Sequence, residues 1–200
     1  MKKFADISEY YTGDLAVHEE NEWIKVGHKH FLDFVNPIIE AYEIMKVVEY
    51  GCATGHVAFG MPPHIDYVGV DRNNWFLEKA RERCQERIFM NCDIRDTKFT
   101  GYDLSMAWGF IKHFGLHEID EIIDIVISSA RYSVLGMQFL AHPADLDDGT
   151  AYHHSWISEE RFAGVIDRAG YKETSRQLFS TFMHPLNIHA YDCAVLLERK

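Results

Sequence analysis

From residue 46 onward, short apolar runs alternate along the chain with stretches of helical periodicity. A short helix is predicted just after residue 55, and two prolines at 62 and 63 end it. Two further helices are predicted at about 75–86 and at 119–126. The apolar runs that indicate strands are 47–48, 67–70, 88–90, 104–108 and 134–140. Because strands that alternate with helices form a parallel sheet covered on both faces, the pattern predicts an α/β fold.

The C-terminal third departs from this alternation. Ser158, followed by two glutamates, predicts the start of a helix, and Gly170 predicts its end. Two strand-like runs follow at 171–179 and 190–197, joined by the turn-rich segment 183–187. We therefore expect an antiparallel hairpin at the end of an otherwise parallel sheet.

Helices are also expected before the first strand. An amphipathic pattern over about 23–36 predicts one helix. Asn36 followed by Pro37 is typical of an N-cap and a first helical position, so a second helix is expected to begin there. His28 and His30, on either side of a lysine, are interpreted as part of a solvated helix face.

The segment 47–56, with the sequence VVEYGCATGH, joins a buried strand to a helix through a tight glycine turn. Open α/β sheets build a ligand crevice from such turns, at the carboxyl ends of their strands. A dinucleotide-binding fingerprint would require glycine at 51, 53 and 56, whereas this chain has Ala53 and His56. NAD-type binding is therefore disfavoured.

The same segment resembles motif I of the class I S-adenosylmethionine-dependent methyltransferases. That motif reads acid-x-Gly-x-Gly-x-Gly, with its middle glycine often replaced by another small residue. Glu49, Gly51, Ala53 and Gly55 fit it in register.

Three further segments resemble later motifs of the family, in the expected order. Asp71, at the end of the second strand, resembles the acid that holds the ribose hydroxyls, and a carboxylate suits a vicinal diol. The sequence 91–94 resembles the motif in which an acid, here Asp93, meets the adenine amino group, although Asp96 lies three residues on. Residues 102–114 resemble motif IV and the turn after it. The chain is identified as a member of this family.

The resemblance covers about residues 46–198 and implies a Rossmann-like methyltransferase fold. This fold has a mostly parallel seven-stranded sheet with an antiparallel C-terminal hairpin strand, helices on both faces and an N-terminal helical cap. Residues 1–200 would form one methyltransferase domain, with 1–45 as a cap or lid and 46–200 as the catalytic core. The cofactor would be S-adenosylmethionine (SAM) and the product S-adenosylhomocysteine (SAH). The cofactor-binding residues that it implies are Glu49, Gly51, Cys52, Ala53, Gly55, Asp71, Arg72, Cys92, Asp93, Ile94, Ala107, Trp108 and, from the cap, Tyr11.

Histidines are the candidate catalytic residues. Methyl transfer from a sulfonium is an in-line displacement, and an oxygen or carbon acceptor gains from a general base, whereas an amine needs only a free lone pair. His113, just after motif IV, is the first candidate base, and His153 and His154, after the fifth strand, are the others. His113 and His117 could also share a metal with one of that pair, but no Cys or acidic ligand lies at a known spacing, so we expect no metal.

The net charge and the sequence motifs restrict the chemical class of the methyl acceptor. Twenty Lys and Arg against 31 Asp and Glu give a net charge of −11, the wrong sign for attraction to nucleic acid. The sequence 107–110 is AWGF, unlike the Asp/Asn-Pro-Pro-aromatic motif of amino-directed nucleic-acid methyltransferases, and no Pro-Cys nucleophile is present. We expect a small-molecule acceptor, with apolar walls from Trp108, Phe110, Tyr152 and Trp156. A protein or tRNA acceptor, and a non-catalytic cofactor-binding or interaction module, remain as alternatives.

The cysteine spacing and the lack of long apolar stretches indicate a soluble protein with reduced thiols. The four cysteines show no CxxC pair and no framework spacing. Acidic residues interrupt the N-terminal region, and no stretch approaches the 18 or so apolar residues of a membrane span. We expect a cytoplasmic protein without a membrane partner, either a monomer or a homodimer.

Overall fold

The computed structural model describes residues 22–96, 98–141, 145–147, 155–184 and 188–200. The helices are α1 (Glu22–Ala41), α2 (His56–Gly60), α3 (Asn74–Arg83), α4 (Ile119–Ser128) and α5 (Glu159–Arg168), with a 3-10 turn at Ile111–His113. The strands are β1 (Lys46–Tyr50), β2 (Asp66–Asp71), β3 (Ile88–Asn91), β4 (Tyr102–Ala107), β5 (Ala130–Leu140), β6 (Leu146–Asp147), β7 (Ser155–Ser158), β8 (Tyr171–His184) and β9 (Ile188–Arg199).

Seven of these strands form a sheet in the order β3-β2-β1-β4-β5-β9-β8. The first five are parallel, and β9 lies antiparallel between β5 and β8. The Rossmann-like methyltransferase fold with its antiparallel C-terminal hairpin is therefore confirmed. Parallel strands place their carboxyl ends at one edge of the sheet, which is where such folds bind ligands.

A short extension of the sheet was not expected from the sequence. β5 continues past the end of β4, so its last residues, Phe139 and Leu140, pair with β7 on the side that β4 leaves open. β6 then pairs antiparallel with β7. Strands of two and four residues offer too little alternation to be recognised in a sequence.

Buried side chains form a large cluster on each face of the sheet, as expected for alternating strand residues. The face covered by α1, α2 and α3, called here the α1 face, includes Val47, Leu104 and Leu196. The opposite face, covered by α4 and α5, includes Val48 and Val195. The carboxyl edge of the sheet lies between these two sets of helices.

The predicted helix start at Asn36-Pro37 is wrong. α1 continues through Pro37, although proline cannot donate the backbone hydrogen bond of a helix interior. One apolar stripe runs along the helix before and after this proline, and its buried residues are Phe31, Phe34, Val35, Ile38 and Ile39. Packing of that stripe on the sheet outweighs the local preference, so a single helix forms the described part of the N-terminal cap.

The other predicted helix starts agree with the structure. Ser158 accepts a hydrogen bond from the backbone N–H of Arg161 at 3.2 Å and so caps α5. The Arg161 guanidinium also reaches Asp120 of α4 at 2.7 Å and Asp145 at 2.8 Å, next to β6. Arg161 therefore connects the short sheet extension to α4 and α5. In the described part of the chain, no helix has the length and apolar character needed to span a bilayer.

Candidate functional site

The residues predicted to bind a cofactor come from four strand ends at one edge of the sheet. The turn after β1 supplies 51–55, β2 ends at Asp71, and segments 92–94 and 107–110 follow β3 and β4. These segments adjoin one another because β1 lies between β2 and β4, and β2 lies next to β3. The structure thus gathers distant sequence motifs into one crevice.

The turn after β1 depends on left-handed backbone. Gly51, Ala53 and Gly55 have φ values of 70°, 44° and 77°. A Cβ on Gly51 would lie 2.2 Å from Cδ2 of Phe110, and a Cβ on Gly55 would lie 3.0 Å from Cβ of Ala80. Both glycines are therefore required for close approach as well as for conformation. Ala53 adopts the same left-handed region with a side chain, which is strained for an L-residue.

Asp71 joins this turn to the start of α3. Its Oδ2 accepts a hydrogen bond from the N–H of Ala53 at 3.1 Å, and its Oδ1 accepts one from the N–H of Asn73 at 2.8 Å. Burial raises the pKa of Asp71, and backbone hydrogen bonds from Asn73, Ala53 and Arg72 together with the charge of Arg72 oppose that rise. A carboxylate has about four acceptor positions, so acceptor capacity remains for a ligand.

Glu49 lies in the interior of the protein, with 2% of its surface exposed. The Tyr67 hydroxyl donates a hydrogen bond to its Oε2. Burial raises the pKa of Glu49 to about 8; the hydrogen bond from Tyr67 opposes the rise, and the nearby charge of Asp71 adds to it. At neutral pH this side chain is therefore largely an uncharged acid.

The other predicted cofactor contacts differ in how accessible they are. Oδ1 of Asp93 accepts a hydrogen bond from the N–H of Arg95 at 3.0 Å and lies 3.7 Å from its guanidinium. Cys52 is buried, and burial raises the pKa of its thiol well above the ordinary value, so it is a neutral thiol. The remaining predicted contacts are exposed (Arg72), half-buried (Cys92) or buried (Ile94, Ala107).

Trp108 is held tightly on the α1 face beyond the end of β4. A Cβ on Gly136 of β5 would lie 2.1 Å from its Cε3, so only glycine leaves room for the indole there. Its ring stacks on Phe31 of α1, with centroids 4.9 Å apart, and meets Phe179 of β8 edge-on at 5.6 Å. We call Phe31, Trp108 and Phe179 the aromatic cluster. It joins the cap helix, the crevice and the C-terminal hairpin.

The candidate histidines are placed differently. His113 is half-buried in the 3-10 turn that follows the β4 loop, whereas the His117 side chain is 85% exposed. Among the described residues, no three His, Cys, Asp or Glu side chains are grouped as metal ligands would be. The predicted contacts Tyr11, Tyr152, His153 and His154 lie outside the described residues.

Two histidines that the sequence pattern assigned to a solvated face make tertiary contacts. His28 is half-buried and stacks on His56, with ring centroids 5.1 Å apart, so its solvated interpretation is wrong. His30 is exposed and lies 6.0 Å from Phe179. His56 begins α2 directly after the glycine turn, so the first contact joins the cap helix to the crevice. Such a contact joins distant parts of the chain and leaves no sequence signal.

Comparison with solved structures supports the fold. Magnesium protoporphyrin IX methyltransferase (ChlM) from Synechocystis PCC 6803, solved with bound SAM, matches with a TM-score of 0.74 and 16% identity over 100% of both chains. The same protein solved with SAH matches with a TM-score of 0.74 and 18% identity over 97% of this chain and 99% of that chain. A SAM-dependent methyltransferase from Clostridium acetobutylicum has a TM-score of 0.69 and 10% identity over 97% of this chain and 99% of that one. A search of curated protein sequences found no significant match.

The family model described as a methyltransferase domain matches residues 47–131. This range contains the glycine turn, Asp71, Asp93 and Trp108, which are the residues on which the resemblance rests. Over residues 47–131 the chain is similar to this methyltransferase-domain family, and structural neighbours solved with SAM or SAH share its fold. These likenesses indicate a SAM-dependent methyltransferase.

The left-handed backbone of Ala53 predicts a stabilising substitution in this protein. Ala53→Gly removes the left-handed strain and is expected to raise the free energy of unfolding by about 0.5–1 kcal/mol, the larger unfolded-state entropy of glycine offsetting part of the gain. Urea unfolding measures the change. The matched control is Ala58→Gly in α2, which is expected to destabilise by about 1 kcal/mol or more. A loss of stability in both variants would contradict the assignment.

The buried Glu49 predicts a pH dependence of stability. Its folded pKa of about 8 lies above its ordinary value of 4.5, so the folded state retains a proton that the unfolded state loses between these values. The free energy of unfolding should therefore fall as pH rises through this interval and level off above it, by up to about 1.4 kcal/mol per pH unit. Glu49→Gln, which resembles the uncharged acid, should lack this component. A constant difference between wild type and Glu49→Gln across the interval would contradict the prediction.

Proposed function

We propose that this enzyme transfers the methyl group of SAM to a small-molecule acceptor in the crevice at the carboxyl ends of the strands. The single observation that carries the proposal is the division of the crevice into two unlike halves. One half contains the glycine turn with Asp71 and Asp93, and the other contains the aromatic cluster beyond β4. A polar cofactor and an apolar acceptor would each meet suitable chemistry.

The residues of the first half fit SAM. Asp71 has acceptor capacity left for the ribose hydroxyls, and Asp93, at the end of the next strand, would accept from the adenine amino group. The left-handed turn at 51–55 lets the backbone approach a ligand closely. SAM carries a sulfonium and an ammonium, so the negative charge of Asp71 favours it over an anion. When bound, SAM supplies an electrophilic methyl group.

The second half supports a small acceptor. Trp108 and Phe179 present half-buried aromatic surface, which suits an apolar molecule more than an extended polyanion. The net charge of −11 also disfavours nucleic acid. The structural neighbour named magnesium protoporphyrin IX methyltransferase acts, by its name, on a small molecule. These three observations support the acceptor class.

His113 is our candidate for the group that removes a proton from an oxygen or carbon acceptor. It follows the β4 loop by one short turn, and its backbone N–H donates to the carbonyl of Phe110 at 3.1 Å, which fixes the turn beside the crevice. Imidazole is suited to this role because its ordinary pKa lies near neutral pH. His153 and His154 are the alternative bases. Apart from this proton transfer, the protein promotes the reaction by aligning the acceptor with the methyl group and by excluding water.

Asp71 provides the sharpest test of the cofactor half. Asp71→Asn removes the charge that would strengthen two ribose hydrogen bonds, so we expect SAM binding to weaken by about 2 kcal/mol, roughly thirtyfold in Kd. Calorimetric titration measures Kd, and urea unfolding of the same variant reports any loosening of the turn. The control is Asp66→Asn at the opposite, exposed end of β2. Equal affinities in both variants would show that Asp71 does not hold the cofactor.

His113 provides a test of the proton-transfer role. For an oxygen or carbon acceptor found by screening, His113→Ala is expected to lower kcat by about 10²- to 10⁴-fold with an unchanged Kd for SAM. Methyl transfer from labelled SAM measures kcat. His117→Ala, four residues away and largely exposed, is the matched control. Unchanged turnover in His113→Ala would assign the role to His153 or His154 instead.

A further inference from the structure

Two polar side chains lie opposite each other on the α1 face, near the carboxyl end of β5. Gln138 of β5 and Asp192 of β9 are directly opposite in the antiparallel register, so their side chains share one face of the sheet. Gln138 follows Gly136 by two residues, which puts it on the same face as the indole of Trp108 seated over Gly136. Both side chains are half-buried. The pair therefore adjoins the aromatic cluster.

Both side chains of this pair have hydrogen-bond acceptor capacity that is not used by the described residues. Oε1 of Gln138 is buried and accepts no hydrogen bond from the described residues. Asp192 accepts one, from the hydroxyl of Ser180 at 2.8 Å. In the described parts of β8 and β9, Lys172 and Arg176 form their salt bridges with other carboxylates. A carboxylate has about four acceptor positions, so most of the acceptor capacity of Asp192 is left for a ligand.

The aromatic rings add a preference for positive charge. Phe179, edge-on to Trp108, belongs to β8, the strand whose Ser180 bonds Asp192. Aromatic faces attract cations, most strongly where water is partly excluded. A negatively charged ligand would be repelled by Asp192, and a neutral hydroxyl would leave its charge uncompensated. An ammonium group offers three N–H donors and a positive charge together.

We propose that Gln138 and Asp192 bind a protonated amino group of the acceptor molecule, while Trp108 and Phe179 contact its apolar part. The acceptor is then an amine-bearing small molecule whose ammonium group is its recognition group. The methyl group goes to another atom of the acceptor, because a protonated amine has no free lone pair. This inference rests on the proposed function and makes it more specific, because it assigns a chemical class to the acceptor. Gln138 and Asp192 become specificity-determining residues beside the aromatic cluster.

The test uses three probes that differ in one group: 2-phenylethylamine, 2-phenylethanol and phenylacetate. Each is titrated by calorimetry into the full-length protein saturated with SAH, so that no turnover intervenes. We expect the amine to bind at least about tenfold more tightly than the alcohol, and phenylacetate to bind most weakly. Equal affinities for amine and alcohol, tighter binding of phenylacetate, or no detectable amine binding at millimolar concentrations would overturn the inference.

Variants then assign the preference to the two residues. Asp192→Asn should lower amine affinity about tenfold and leave the alcohol almost unchanged, and Gln138→Leu should also weaken the amine selectively. The matched control is Glu198→Gln, which removes a carboxylate from β9 where Arg131 and Lys172 pair with it. An unchanged amine-to-alcohol ratio in Asp192→Asn, or the same loss in Glu198→Gln, would overturn the assignment. Failure of the wild-type protein to bind SAH would instead overturn the proposed function, and the inference with it.

Discussion

The carboxylate of Asp71 is the constraint on which the cofactor half of the crevice depends. By accepting the N–H groups of Ala53 and Asn73, it connects the turn after β1 to the first residues of α3. Asn73 in turn caps that helix by accepting from the N–H groups of Trp75 and Phe76. Burial of a charge is unfavourable, and these backbone hydrogen bonds offset part of that penalty. One side chain therefore fixes the glycine turn and preserves a carboxylate at the ligand edge.

The other half of the crevice depends on how the indole of Trp108 is packed. Gly136 leaves space below the indole, and Gly27 of α1 lies beside its edge, where a Cβ would make an ordinary contact 3.4 Å from Cζ2. The stacking of Phe31 then connects the cap to the strand end. Because the cap helix touches both Trp108 and His56, it spans the boundary between the two halves. This arrangement places the polar glycine turn and the aromatic cluster side by side along the same crevice.

Local motifs predicted the strand ends of this fold well. The strand-turn-helix segment around Gly51, and the carboxylates at 71 and 93, are defined by neighbouring residues and lie where the family resemblance implied. Glu49 is less simple: the same motif implied a cofactor contact, and the structure places its carboxyl in the interior with Tyr67. Its contact with the cofactor, like those of the other predicted site residues, stays a prediction.

Features that depend on distant residues could not be predicted from the sequence. The local preference of Pro37 indicated a helix start, and tertiary burial of the surrounding apolar stripe overruled it. The pairing of Gln138 with Asp192 follows from the register between β5 and β9, since residues 54 positions apart have no sequence signal in common. The packing of Trp108 over Gly136 also joins residues that are distant in the sequence.

Binding of SAM in this crevice is tested most directly by calorimetric titration of the wild-type protein. SAM and SAH are titrated separately, with NAD as the control ligand that shares the adenosine moiety. We expect saturable binding of both sulfur compounds with Kd values of roughly micromolar order and no heat of binding for NAD. Binding of NAD, or no binding of either SAM or SAH, would contradict this expectation.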